Sequence, residues 1–412
     1  MDEKAILTAT VNEPRPPARL WERIKSGGAL DFENFSEVRK LARRRLPKGI
    51  FEYIDRGTED ERGLAANREA FDRVKIKPFV LRSGSERSTT VSLFGRDYTA
   101  PIVVAPTACT GLVHYRGEIR LAQAAAKFGI PYTAATEAIT SVEDIARESP
   151  APIWFQLYLW DQAAISNELI ERAWDSGVRT ILMTVDTPVL PKREYNARNG
   201  FDIPFRLSAR STIDIALHPR WVTGVFGRHL LKHGLPTYEN YPRRYRQTLM
   251  DRGSGPTLNL MPDLSWNHVR RVRERWKGAL VLKGILRRED AIKAKEVGAD
   301  GVVVSSHGGR NLDMAVSPIE VLAEIVDAVG PSFTVLADGS IQRGSDIFKL
   351  IALGAKAVLV GRSMLYGTAV GGEQGALKIM KILADELALT MDMAGCRTLS
   401  DVNRGMLFGG GN

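Results

Sequence analysis

GVVVSSHGGR, residues 301–310, joins an apolar run to a dense cluster of polar and glycine residues. After Gly301 come three valines, and a run of β-branched residues with no alternation reads as a strand buried on both faces. At Ser305 the character changes: two serines, a histidine, two glycines and an arginine follow directly. A buried strand that ends in reactive side chains is the pattern of a parallel sheet whose strands deliver their chemistry to one rim.

The same pattern recurs outward in both directions. Apolar runs of the strand type occupy 101–106, 131–135, 153–158, 180–186, 279–283, 301–305, 333–338 and 357–361. Helical patterns lie between them at 117–127, 142–148, 165–176, 288–297, 318–329 and 345–353, and Ser141 and Ser345 stand where N-caps belong. Eight strand runs with helical segments between them imply a parallel sheet, and eight is the number that closes a barrel, so the predicted fold is α/β, a (β/α)8 TIM barrel. The rival open sheet would more often carry Gly-x-Gly-x-x-Gly after its first strand, and APTACTG at 105–111 is not that motif.

Around the repeats, 1–30 reads as an extended N-terminal arm rich in proline and then glycine, and the barrel domain as 31–405. Within that domain 34–56 has helical spacing, and 88–99 reads as a hairpin turning near Gly95. Roughly 90 residues separate the fourth run from the fifth, a length that marks a functional insertion or mobile loop, here placed at 195–265. Residues 205–250 hold eight Lys or Arg, three of the six histidines and only two acids, together with Trp221, Val222, Val225, Phe226, Leu230 and Leu231. Two readings stand side by side: a segment lying on an anionic membrane surface, or a solvated lid over the rim.

Composition narrows the classes. Hydrophobic residues make up 44% and charged residues 25%, which suits a globular chain with a large core. No apolar run approaches the roughly 18 residues needed to span a bilayer, and Met1–Pro17 shows no basic-then-apolar leader pattern. Only Cys109 and Cys396 are present, which argues against a disulfide scaffold and a cysteine metal site, so no metal is expected. A cytoplasmic protein, peripheral on the cytoplasmic face of the membrane if the insertion binds lipid, is the expectation. The net charge of +9 favours anionic partners, but no nucleic-acid motif accompanies it, so nucleic acid is not among the expected partners.

The run ends supply the candidate chemistry: Gln156-Leu157-Tyr158, Thr184-Val185-Asp186, Lys283, Ser305 to Arg310, Asp338-Gly339 and Gly361-Arg362. Six of eight strands ending this way is more than stability requires. Together with LPKGIFEYIDRGTED at 46–60, APTA at 105–108, FQLY at 155–158, MTVDTP at 183–188 and SSHGGRNLD at 305–313, these residues resemble the FMN-dependent 2-hydroxy-acid dehydrogenase and oxidase family. The resemblance runs in order from about residue 32 to about residue 400 and is strongest, through 218–221, 233–236 and 361–367, to its mandelate dehydrogenase branch.

The resemblance implies FMN as cofactor and an L-2-hydroxy acid as substrate, mandelate-like or otherwise bulky, with lactate or another aliphatic acid as the alternative. It implies His307 as the base, for which an imidazole titrating near neutrality suits, and Asp186 as the group that stabilises its protonated form. Arg193 and Arg310 would clamp the carboxylate through planar forks, and Tyr53 and Tyr158 would bond the carboxylate and hydroxyl. Lys283 would sit by the N1–C2 edge of the flavin, where a cation favours the reduced ring. Gln156 and Thr184 would bond the flavin ring edge; Pro106, Thr107 and Ala108 would lie along its N5 side. Gly339, Gly361 and Arg362 would hold the phosphate, with Arg343 compensating for Gln342, and Ser305 and Asp338 would be further FMN-binding residues. Electrons would pass to a quinone, another carrier or oxygen, and a homo-oligomer, a tetramer by likeness, is implied. Ala135, Glu137 and Gln342 depart from the pattern of the family. Two other classes stay open from the residues alone: a Schiff-base lyase built on Lys283, and a binding or membrane-scaffold protein without chemistry.

Overall fold

In a computed structural model of the chain, residues 30–82, 87–201, 205–246, 248–250 and 258–409 are described. The chain divides into two units, Met1–Asp31 and Phe32–Asn412, and the fold below is that of the second. The arm expected over 1–30 lies, except for Leu30, outside the described residues.

Eight parallel strands form one sheet: β1 Ile102–Val104, β2 Thr133–Ala135, β3 Trp154–Leu157, β4 Thr180–Thr184, β5 Ala279–Ile285, β6 Gly301–Val304, β7 Thr334–Ala337 and β8 Ala357–Val360. Hydrogen-bonded neighbours run from β2 in sequence order to β8, and β8 pairs back to β1. A parallel bridge between Val104 and Tyr132 closes the ring, with the Val104 amide donating to the Pro131 carbonyl at 2.9 Å. Each strand is followed by a helix, so the structure is the expected (β/α)8 barrel.

Most strands are shorter than the apolar runs that announced them. Tyr158, Asp186, Ser305 and Asp338 lie just past the ladder, because the chain bends outward there to form the rim. β5 is the exception and extends to Ile285 through a register shift at Gly284. Inside, Val103, Leu182, Val281, Val303, Leu336 and Leu359 pack as one buried cluster with Leu93 and Trp154. Burial of each such side chain contributes about 1.5–3 kcal/mol. Leu93 belongs to the expected hairpin, Val91–Leu93 paired with Arg96–Tyr98 about Gly95, whose φ is +79°. The Phe94 ring stands 5.6 Å from Trp154, the first residue of β3, so the hairpin stoppers the barrel end opposite the rim.

Several expectations need correction. The helical stretch at 34–56 is two helices, Phe35–Arg45 and Lys48–Asp55. Pro47 forces the break: the residue before a proline is pushed out of helical conformation, and Leu46 sits at φ −98°, ψ 141°. Ser141 caps its helix, accepting from the Asp144 amide at 3.2 Å. Ser345 does not cap; that helix starts at Gly344, and the Asp346 carboxylate takes the amides of Gln342 and Arg343. Helices that went unread include Arg62–Arg73, Trp266–Arg275 and the 33-residue Arg362–Ala394, which bends at Gly371-Gly372.

The insertion is not a bare loop. It contains Glu194–Asn199, Ala209–Ala216 and a continuous helical run from Pro219 to His233 with a π-turn at Val222–Gly227. Trp221 and Val225 are buried, and the Trp221 indole donates to the Leu112 carbonyl at 2.6 Å. Asn240 donates to the Ala135 carbonyl at 3.0 Å and accepts from the Val142 amide at 2.8 Å. The segment is thus tied down on the loops after β1 and β2. Among the described residues no helix is long and apolar enough to cross a membrane.

Candidate active site

At the C-terminal rim a cavity of about 200 Å³ opens between the strand ends and the helix Lys48–Asp55. Its wall gathers Tyr53, Pro106, Thr107, Ala108, Gln156, Tyr158, Thr184, Arg193, Lys283, His307, Arg310, Asp338, Gly339, Gly361 and Arg362. All of these were candidates on sequence grounds. The ring of strands brings residues more than 300 positions apart to one hollow.

His307 is held in a left-handed backbone conformation, φ +54°, followed by Gly308 and Gly309 at +64° and +70°. A non-glycine residue there carries strain that its surroundings must hold. Two bonds hold it: its amide donates to Ser305 Oγ at 3.0 Å, and its Nδ1 faces Asp186 at 3.0 and 3.2 Å. Gly309 is required by close approach, since a Cβ there would stand 2.8 Å from the Leu64 amide nitrogen. Gly284 is required in the same way: a Cβ would fall 2.4 Å from the Asp186 Cβ, so the bulge in β5 makes room for the carboxylate.

The electrostatics of the pair suit a base. Burial pushes the imidazole below its ordinary value and outweighs the attraction of Asp186. Burial pushes the Asp186 carboxyl up, but the neighbouring His307 and then Lys283 overcome it and hold the group at about 2. With Asp186 ionised, the imidazole proton sits on Nδ1, and Nε2 is the free basic nitrogen.

Lys283 is buried, with its Nζ 3.1 Å from Ser305 Oγ and 3.4 Å from Asp338 Oδ2. Ser305 donates in turn to Asp338 at 2.8 Å, while Asp338 Oδ1 is buried with no hydrogen-bond partner. The Lys283 Nζ is thus tied to a hydroxyl and a carboxylate, whereas a Schiff-base lysine needs its amine free to attack. The lyase alternative is therefore set aside. Gln156 links two walls, accepting from the Thr136 amide at 3.1 Å and donating to Thr184 at 3.1 Å.

Arg310 donates to the carbonyls of Tyr53 and Arg56, both at 2.8 Å, and Arg362 reaches the carbonyls of Asp55, Arg56 and Gly308. The carbonyls of Tyr53, Asp55 and Arg56 are the free C-terminal end of the helix Lys48–Asp55, where cations are favoured. The two arginines thereby fix Tyr53 over the cavity. Burial, with Arg193 close by, pulls the Arg310 guanidinium down to about 10, still charged at neutral pH. Arg193 Nε is buried without a hydrogen-bond partner. Burial, with Glu137 among the neighbours, pushes the phenols of Tyr53 and Tyr158 up, so both are neutral donors.

One candidate stands apart. Arg343 is half-exposed and pairs with Glu386 at 2.9 Å, away from the cavity wall, whereas Gln342 lines it. Two sets of residues were missed. Asn311 donates to the Asp186 carbonyl at 2.9 Å and to Thr187 at 2.8 Å, bracing the base's partner; its place four residues after His307 was the available signal. Tyr238 and Tyr241, from the insertion, lie within electrostatic reach of Glu137; nothing in their spacing pointed to the rim.

The chain matches the model of a family described as FMN-dependent dehydrogenase over residues 42–408. It is 36% identical over 370 residues to an (S)-mandelate dehydrogenase of Pseudomonas putida, covering 90% of this chain and 92% of that protein. It is 38% identical over 376 residues to an L-lactate dehydrogenase of Caulobacter sp. (strain K31), covering 90% and 97%. Among solved structures, a monotopic membrane protein, (S)-mandelate dehydrogenase, superposes with a TM-score of 0.85 at 36% identity, covering 92% of this chain and 100% of that one. A mandelate oxidase structure superposes at 0.75, also at 36% identity, covering 92% and 98%.

Proposed function

This chain belongs to the FMN-dependent dehydrogenase family, and from that premise we propose that it oxidises a bulky, mandelate-like L-2-hydroxy acid to the 2-oxo acid. The observation that carries this reading is the wall on which His307, backed by Asp186, shares one cavity with Arg193, Arg310, Tyr53 and Tyr158. The cavity suits FMN. Buried Lys283 would stabilise the negative charge that reduction leaves on the ring, and Asp338 Oδ1, with no hydrogen-bond partner among the described residues, would accept from a hydroxyl of the cofactor. Backbone at Gly339 and Gly361, with Gln342 and Arg362 beside them, forms the end suited to a phosphate. FMN, when bound, supplies the acceptor for the two electrons that leave the substrate.

The residues of the chain do the rest. Arg193 and Arg310 hold the substrate carboxylate, with the unpartnered Nε of Arg193 as one donor. Tyr53 and Tyr158, kept protonated, donate to the carboxylate and the hydroxyl oxygen. His307 Nε2 takes the substrate proton, and Asp186 stabilises the imidazolium that results. The helix Lys48–Asp55 closes one side of the cavity through Tyr53 and Ile54.

His307→Ala tests the reading: the variant is expected to bind FMN and to leave it oxidised when substrate is added without oxygen. Reduction at the wild-type rate would remove His307 from the base role. The similarity to an L-lactate dehydrogenase, at 38% identity against 36% for the mandelate dehydrogenase, favours a second reading, an aliphatic substrate in the same cavity.

For the acceptor we favour a quinone reached at a membrane surface. Ile213, Leu217, Leu230 and Leu231 are exposed on the insertion helices beside Arg210, Arg220, Arg228 and Lys232. Such a face suits an anionic bilayer without spanning it, and one similar structure is of a monotopic membrane protein.

A further inference from the structure

Two carboxyl groups lie near the loop after β2, Glu118 buried and Glu137 half-buried on the cavity wall, and they differ. Glu118 is satisfied: the Ile139 amide and the Thr140 hydroxyl donate to it at 3.3 and 3.0 Å. Glu137 lines the cavity, and among the described residues its carboxyl has no hydrogen-bond or ion-pair partner. Burial raises its titration above the ordinary carboxyl range, and the nearby Arg193 lowers it only in part. Around it stand Tyr53 and Tyr158 of the rim and Tyr238 and Tyr241 of the insertion, each of whose phenols is pushed up by burial and, further, by this carboxyl.

A carboxyl that faces a cavity with no protein partner bonds whatever fills that cavity, so a ligand that displaces the water there has to replace its hydrogen bonds. A plain phenyl or methyl group packed on Glu137 would leave the carboxyl dry and unpaired. An ammonium would meet Arg193, Arg310 and Lys283 in the same hollow and be repelled. A neutral hydroxyl fits either protonation state, since it accepts from a carboxylic acid and donates to a carboxylate. We infer that Glu137 is a specificity-determining residue that selects a 2-hydroxy acid whose side chain ends in a hydroxyl. The inference rests on the reading of the cavity as a 2-hydroxy-acid site.

Matched pairs of acids that differ by one hydroxyl test it: (S)-mandelate against (S)-4-hydroxymandelate, and L-lactate against L-glycerate. The readout is kcat/KM and the anaerobic rate of flavin reduction in the FMN-loaded wild type, Glu137→Gln and Glu137→Ala. Flavin absorbance and the thermal transition show that each variant is folded. The wild type is expected to prefer the hydroxylated member of at least one pair by about tenfold or more. In Glu137→Ala the ratio should collapse toward one, with a gain on the plain acid as well as a loss on the hydroxylated one. Glu137→Gln, which keeps a donor and an acceptor, should retain part of the preference. Equal ratios in the wild type and Glu137→Ala overturn the role of Glu137. No flavin reduction in the wild type by any of the four acids overturns the 2-hydroxy-acid reading itself.

Discussion

His307 and Asp186 set the pH behaviour. A base must be neutral to act, and burial holds His307 below its ordinary value, so kcat/KM should be flat at neutral pH and fall in acid, with its limb below the ordinary imidazole range. Asp186→Asn removes the charge that favours the imidazolium. It should move that limb further into acid and lower kcat by about 10²–10⁴; an unchanged pH profile would show that the contact at 3.0 Å does not tune the base. Arg193→Lys keeps the charge but not the fork, so KM should rise by about tenfold or more with a smaller change in kcat, as read from initial rates. Most of these residues were legible because barrel chemistry sits at strand ends, and a histidine between serines and glycines at such an end has few structural uses. Arg343 was misleading because adjacent residues at the start of a helix point in different directions: Gln342 faces the cavity and Arg343 pairs with Glu386. Asn311 and Gly284 escaped notice because their work is to brace and to make room, and no motif announces either.

Among the elements, buried strands and their helices were the easiest to foresee, because a both-faces-buried run has no competing reading at that length. The helix break at Pro47 was written in the sequence and went unread under the helical spacing around it. The insertion was harder. Its polar, aromatic and apolar residues mix without a clean period, since the helical run from Pro219 to His233 packs only Trp221 and Val225 and exposes much of the rest. Glu substitution of Leu217 and Leu231 together should shift any membrane-bound fraction of the protein to the supernatant on fractionation, while leaving flavin reduction intact; no shift would remove that face as the membrane contact. The hairpin makes a separate demand. Leu93 is 2% exposed in the core cluster at the closed end of the barrel, so Leu93→Ala should cost about 2–5 kcal/mol, measured by denaturant unfolding, with kcat unchanged in the protein that remains folded.

The whole molecule follows from one repeated unit. Eight buried strands, none of them amphipathic, must be covered on both faces, and a closed ring of strands inside a ring of helices does this without leaving an edge. Closure then places the polar strand ends together, so that residues from 53 to 362 share one cavity of about 200 Å³. The rhythm was visible in the sequence; the way the insertion is tied to the segments after β1 and β2 was not, because that depends on contacts such as Trp221 with Leu112 and Asn240 with Ala135 that join distant segments. The central claim is that this cavity holds a flavin that a 2-hydroxy acid reduces. Its most direct test is the visible spectrum of the purified, FMN-loaded protein without oxygen, before and after adding each of several L-2-hydroxy acids. Bleaching of the flavin bands by at least one of them, and its loss in His307→Ala, is the predicted result. Flavin bands that persist with every acid, or a protein that retains no FMN, would contradict it.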